Sequence, residues 1–249
     1  MKKLALITGG TGGIGLATAK TLGKAGYQII LNGIDDEAAK IALKELSDLN
    51  IEVEYYHFDV TNEQEVSENI KAIGEKYGYL DVLINNAGGL GGRCRFDEMP
   101  TDFYRRVMGL NLDSVFFVSR SAIKYLKKGH NASIINFSSN AGWNAGGPGA
   151  GIYGTAKGAI ITLTRALAKD LAEYSIRVNA VSPGTIDTPF HQATKLSNPA
   201  LFESWKNNIL MKRFGQADEV ANVIEFLISE KASFITGEIV QINGGQDLL

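Results

Sequence analysis

Apolar and polar positions alternate along this chain in two periods, and the periods take turns. Residues 4–8 form a short apolar run that breaks into TGGTGGIG, and residues 16–26 then read as a helix closed by Gly26. Residues 28–31 predict a second strand and residues 36–49 an amphipathic helix with Ala38, Ala42, Leu46 and Leu49 on one face. Residues 52–58 alternate as a third strand, followed by a helix carrying Val66, Ile70, Ile73 and Tyr77 at intervals of four, three and four. The runs LDVLI and SIINF predict two more strands, separated by one long helical pattern over about 101–127 that holds Asn111 among apolar neighbours. A further helix runs through Tyr153, with good helix formers from Thr155 onward. After it come a strand in SIRVNAVSPG, a helix over 217–230 with Val220, Val223, Ile224 and Leu227 facing inward, and a last strand over 235–245.

Strands and helices of this length in strict alternation imply right-handed crossovers and a parallel sheet covered on both faces. The expected fold class is therefore α/β, a Rossmann-type doubly wound parallel sheet in a single domain with helices on both faces. The segment over about 185–213 has no long regular pattern and suits a lid over a pocket.

Composition narrows the class without naming it. At 249 residues the chain has the size of one α/β domain. A hydrophobic content of 45%, a charged content of 21% and a formal net charge of -2 are ordinary for a globular protein, with no electrostatic footprint for nucleic acid or an anionic membrane. The expected partner is a small molecule. The single cysteine, Cys94, excludes an intramolecular disulfide, and the three histidines have no ligand-like spacing, so no metal site is expected. No segment approaches the ~20 apolar residues that span a bilayer. The opening MKKLALITGG reads as a first strand and not a signal peptide, which predicts a cytoplasmic protein.

The chemistry gathers where the strands end. Gly9, Gly13 and Gly15 follow the first strand and open a helix, the context in which a glycine turn lets backbone N–H groups meet a pyrophosphate. Asn85-Asn86-Ala87-Gly88 and Ser138-Ser139 stand at the ends of two further strands, where ligands bind in such sheets. Tyr153 and Lys157 are four residues apart and share a helix face. A positive charge about 5 Å from the phenol, at an effective dielectric of ~20, contributes about 3 kcal/mol, or about 2 pKa units. A tyrosine so placed can exchange protons near neutral pH.

With these residues assembled, the chain resembles the short-chain dehydrogenase/reductase family over essentially its whole length. The resemblance rests on T-G-x-x-x-G-x-G at 8–15, N-N-A-G at 85–88, Asn111, the serine pair, Y-x-x-x-K at 153–157 and Pro183-Gly184, all in order. It implies an NAD(P)-dependent oxidoreductase moving a hydride between nicotinamide and a carbonyl or alcohol. Tyr153 would exchange the proton, Ser139 would hold the substrate oxygen, Lys157 would lower the Tyr153 pKa and hold the nicotinamide ribose, and Asn111 would hold a relay water. Gly9, Thr11, Gly13, Ile14 and Gly15 would lie along the pyrophosphate loop, with Asp59 and Val60 at the adenine. Asn86, Ala87 and Gly88 would follow the ribose, and Pro183, Gly184, Ile186 and Thr188 would flank the nicotinamide. Ser139 precedes Tyr153 by fourteen residues, about one more than is common in the family, which predicts an insertion in the loop over 143–151.

NAD(H) is favoured, with NADP(H) the alternative. Gly12 stands where NADP-using members often carry a basic residue, and Asp35 and Asp36 would repel a 2′-phosphate. The loop GLGGRCRF brings Arg93 and Arg95 near the cleft mouth, and arginine suits a carboxylate. NNAGGLGGR and SSNAGWNAGGPGAGIYGTAKGA look like family members that reduce sugar-derived keto acids of the alginate-uronate type. The best expectation is thus a sugar-acid (keto-uronate) reductase with Arg93 or Arg95 as anchor. The alternatives are a 3-oxoacyl-carrier-protein reductase, a broad alcohol, polyol or hydroxysteroid dehydrogenase and, in another class, a non-catalytic dinucleotide-binding regulatory protein. The family also implies a homotetramer built through the helices around 101–127 and 153–172.

Overall fold

The computed structural model describes residues 2–248. In chain order the elements are β1 (Leu4–Ile7), α1 (Gly13–Lys24), β2 (Gln28–Gly33), α2 (Asp36–Asp48), β3 (Val53–His57), α3 (Glu63–Tyr77) and β4 (Val82–Asn85). They continue with α4 (Thr101–Met108), a π turn (Gly109–Asp113), α5 (Ser114–Leu126), β5 (Ser133–Phe137), α6 (Ala141–Asn144), α7 (Gly151–Leu171) and β6 (Arg177–Pro183). Two short helices, α8 (Gln192–Ser197) and α9 (Pro199–Ser204), lie in the region expected to form a lid, before α10 (Ala217–Ile228) and β7 (Ile239–Ile242).

The seven strands form one parallel sheet in the order β3-β2-β1-β4-β5-β6-β7. Period-two alternation divides its side chains between two cores. Leu4, Leu6, Ile30, Leu83, Ile134 and Val178 face α3, α5 and the end of α7. Ala5, Ile7, Ile29, Leu31, Val82 and Ile84 face α1, α2 and α10. This is the doubly wound single domain that the sequence predicts. The strand order reverses between β1 and β4, which is where such sheets open a crevice beyond their carboxyl ends.

Three elements depart from their sequence patterns. In α2 the buried stripe is Ala39, Ala42 and Leu46, while Leu49 is 42% exposed at the C-cap. Ala42 and Leu46 lie on the buried face as expected, and the difference is at the ends, where Asp35 caps the helix through Glu37 and Ala38 and Leu49 lies past the last turn. The single helix expected over 101–127 is interrupted by the π turn, which buries Asn111 completely. The last strand shortens to four residues, bounded by glycines with positive φ on both sides: Gly237 (75°) before it and Gly244 and Gly245 (60° and 77°) after it.

A chain of buried amides and hydroxyls crosses the sheet centre. Asn85 Nδ2 donates to Ser119 Oγ and to Asn136 Oδ1, both at 2.9 Å. Asn136 Nδ2 donates to Thr164 Oγ1 at 3.0 Å, and Thr164 donates to Ile160 O. The network ties β4 and β5 to α5 and α7, the helices that carry the site.

Candidate active site

A cleft of about 850 Å³ opens at the carboxyl ends of β1, β4, β5 and β6. At its β1 end Gly9 and Gly13 take positive φ (59° and 51°), and nothing lies within 4 Å of a Cβ built on Gly12. No side chain caps α1, and its first turn holds no acidic residue, so its free N–H groups face the cleft. An uncapped helix N-terminus behind bare glycine backbone fits a pyrophosphate. Gly15 serves packing: a Cβ there would stand 2.4 Å from Gly9 O.

The end of β4 is bolted to this loop. Thr8 Oγ1 accepts from the Asn86 and Ala87 N–H groups, both at 3.1 Å, and Asn86 Nδ2 donates to Thr8 O and Gly9 O at 2.9 Å. Gly88 is the next residue of the same wall. Thr11, Asp59 and Val60 lie outside the cleft walls. The Thr11 methyl packs on Gly33, Asp59 Oδ1 accepts from the Thr61 N–H and hydroxyl, and Val60 is buried. Pro183, Gly184, Ile186 and Thr188 line the far wall, and a Gly13 Cβ would stand 3.7 Å from Thr188.

Ser139, Tyr153 and Lys157 meet at the cleft floor. The Ser138 hydroxyl donates to Lys157 O at 2.9 Å, so that serine is spent on holding α7. Ser139 Oγ accepts from the Ala141 N–H at 3.2 Å and lines the cleft together with Tyr153. Lys157 is 3% exposed, its Nζ donates to Phe137 O at 2.8 Å, and it stands 5.8 Å from the Tyr153 ring centre. The expected lowering of the tyrosine pKa does not occur here: burial raises Tyr153 to about 12, against a smaller lowering from Ser139. Burial also lowers Lys157 to about 8. Desolvation is the dominant cause of both shifts, since both groups are buried at the floor.

The Asn111 side chain is bonded to backbone groups. Nδ2 donates to Gly89 O (2.8 Å) and Val107 O (2.9 Å), and Oδ1 accepts from Gly89 N–H (3.0 Å). Asn111 Oδ1 and Lys157 Nζ flank Gly88, at 3.0 and 3.1 Å from the position of a Cβ there. The side chain thus pins the wall opposite Lys157.

Arg93 lines the cleft and donates to Pro148 O at 3.0 Å, while Cys94 N–H donates to Gly149 O at 2.9 Å. These bonds fasten the loop after β4 to the glycine-rich loop before α7. Arg95 is exposed and outside the cleft walls. Sequence patterns gave no sign of several other lining residues: Asn140, whose amide is buried without a partner, and Asn144, His191, Trp205 and Gln246. Each comes from an aperiodic segment, where hydrophobic period carries no signal. Among the described residues the cleft wall holds Arg93, Lys157 and His191 and no Asp or Glu.

A doubly wound sheet, a glycine cradle at its switch point and a Ser-Tyr-Lys floor define a nicotinamide-dependent oxidoreductase. A family model described as enoyl-(acyl carrier protein) reductase matches residues 9–247. The chain is 38% identical over 243 residues to 3-oxoacyl-(acyl-carrier-protein) reductase FabG of Thermotoga maritima, covering 98% of this chain and 97% of that protein. Among solved structures it is similar to an NADH-dependent reductase responsible for alginate metabolism, with TM-score 0.90 and 34% identity over 100% of this chain and 98% of that one. An actinorhodin polyketide ketoreductase with NADPH gives TM-score 0.91 and 31% identity, covering 98% and 97%. The chain belongs to the short-chain dehydrogenase/reductase family. No helix among the described residues is long and apolar enough to cross a membrane, and these residues hold no group of three His, Cys, Asp or Glu that could bind a metal.

Proposed function

We propose that this enzyme reduces a small, polar, anionic carbonyl, most plainly a sugar-derived keto acid, with NADH. The observation that carries this is the cleft wall, which presents three basic side chains and no carboxylate. An anionic substrate meets no like charge there. Arg93 offers the planar fork that pairs with a carboxylate.

The cradle of Gly9, Gly13 and Ile14 would hold the dinucleotide, with Asn86, Ala87 and Gly88 along one side and Pro183, Gly184, Ile186 and Thr188 along the other. When bound, nicotinamide supplies the hydride. Tyr153 gives its phenol proton to the carbonyl oxygen. Ser139 donates a hydrogen bond to that oxygen and stabilises the charge that develops on it. Lys157 keeps a positive charge at the floor, and Asn111 fixes the wall that faces it. The Tyr153 proton, held to about 12 by burial, leaves only when an oxyanion forms to take it.

A 3-oxoacyl-carrier-protein reductase is the second reading, supported by the 38% identity to FabG. We also assign a cytoplasmic homotetramer, with Tyr104 and Phe116, 45% and 44% exposed on α4 and α5, available to an interface. The deciding experiment follows NADH and NADPH oxidation with keto uronates, aldoses, simple ketones and a β-ketoacyl thioester. Selective turnover of the keto uronate is expected, and Tyr153→Phe should lower kcat by about 10²-fold or more while cofactor still binds. Turnover of the thioester alone would replace the first reading by the second.

A further inference from the structure

The roof of the cleft holds a histidine that the catalytic floor does not use. His191 follows Phe190, whose ring stands 6.2 Å from that of Tyr153, so it sits directly beyond the residue that covers the proton donor. Aromatic packing holds its ring: edge-on to Phe190 at 4.9 Å and to Trp205 at 5.6 Å, and tilted against Phe202 at 5.8 Å. Its backbone N–H donates to Thr188 O. Among the described residues no hydrogen bond engages the ring nitrogens, and His191 lines the same cleft as Arg93.

Two charges act on the ring, Asp187 and Arg93. Asp187 is paired with Lys195 of α8 at 3.1 Å, and Lys195 reaches over Phe202 at 5.7 Å. The carboxylate nearest the ring is therefore already engaged. Phe190, Phe202 and Trp205 bring no charge. Burial holds the His191 pKa below its ordinary value against an opposing pull from Asp187, with Arg93 adding a smaller push downward, so the ring is mostly neutral at pH 7. An anion placed between the ring and Arg93 reverses both influences, since it screens the arginine and stabilises the imidazolium.

We propose that His191 and Arg93 close on the substrate carboxylate from two sides, and that His191 takes up a proton as the anion binds. This rests on the anionic-carbonyl reading above. No bond is made or broken in the step: one proton passes from solvent to an imidazole nitrogen. Because Phe202 and Trp205 belong to the lid, the charged histidine also fastens the lid over the substrate. Binding should therefore strengthen as pH falls through the pKa of the occupied ring, and level off below that of the empty one.

Trp205 touches the ring and lines the cleft, so its fluorescence reports the event; Trp143→Phe removes the other tryptophan, which lies outside the cleft walls. The probe is sodium gluconate, a carboxylate polyol, titrated into this protein in the presence of oxidised NAD, with neutral glucitol as the control. Gluconate affinity should rise about tenfold between pH 7 and pH 5, a range in which Lys157, with its pKa of about 8, is already charged. His191→Gln should remove the slope, as should His191→Phe, which keeps the aromatic packing. Arg93→Ala should weaken gluconate about tenfold at every pH. A wild-type slope that survives in both His191 variants, or a flat wild-type profile, overturns the clamp while an Arg93-dependent gluconate preference still stands. Gluconate bound no better than glucitol by any of these proteins overturns the anionic-carbonyl reading itself.

Discussion

At position 157 the fold buries an ammonium group whose pKa falls to about 8 from its ordinary 10.5. The shift has a direct stability cost. Holding the charged form dry at pH 7 opposes folding by about 3 kcal/mol. Lys157→Met would remove that cost and leave Phe137 O unpaired, which costs about 1–3 kcal/mol. The expected outcome is loss of turnover with a melting temperature equal to or a few degrees above that of the parent. The pH dependence has a definite sign. Between about 8 and 10.5 the unfolded chain binds the proton that the folded chain has lost, so the parent gains stability as pH rises and closes the gap on the variant. Thermal melts of the two proteins without cofactor, at pH 7 and pH 9.5, check this. A gap that widens with pH would show that Lys157 is stabilised by its surroundings.

The elements themselves are set by close approaches as much as by period. Gly74 in α3 lies flat under the Tyr125 ring of α5, where an added Cβ would come 2.0 Å from the ring atoms. Both helices belong to the layer behind β4 and β5. Gly74→Ala should therefore destabilise the protein by about 1–3 kcal/mol, despite the higher helix propensity of alanine, and chemical denaturation would measure it. A neutral or stabilising effect would mean that Tyr125 swings aside freely. Such a contact is illegible in a sequence, since Gly74 reads only as a weak point in a helix. The π turn is hidden for a related reason. One extra residue within 101–127 shifts the apolar stripe by a single position, which the 3.6-residue pattern absorbs. By contrast, the strand ends carrying Gly9, Asn86 and Ser139 were legible because glycine, amide and hydroxyl residues abruptly end apolar runs there.

At the scale of the whole molecule, the end of β2 bears on the proposed preference for NADH. Beyond β2, Asp35 caps α2 and Asp36 is held ionised by a hydrogen bond to His57, with Tyr55 adding a second. Two carboxylates at this place disfavour a 2′-phosphate, so kcat/KM with NADH should exceed that with NADPH by about tenfold. Replacing both by Asn should narrow the ratio; an NADPH preference in the parent would refute the assignment. The cofactor end of the site and its floor could be read from local motifs. The substrate end could not, because Arg93, Asn144 and His191 converge from three separate irregular or short segments whose approach only the finished fold determines. The amides at the sheet centre add a consequence for assembly. A slip of one residue between β4 and β5 would turn either Asn85 or Asn136 to the opposite face, among aliphatic side chains. Each polar group stranded in that way costs about 1–3 kcal/mol, against a total stability of about 5–15. Asn85 and Asn136 thus make the native register of β4 and β5 the one pairing in which both amides keep their partners.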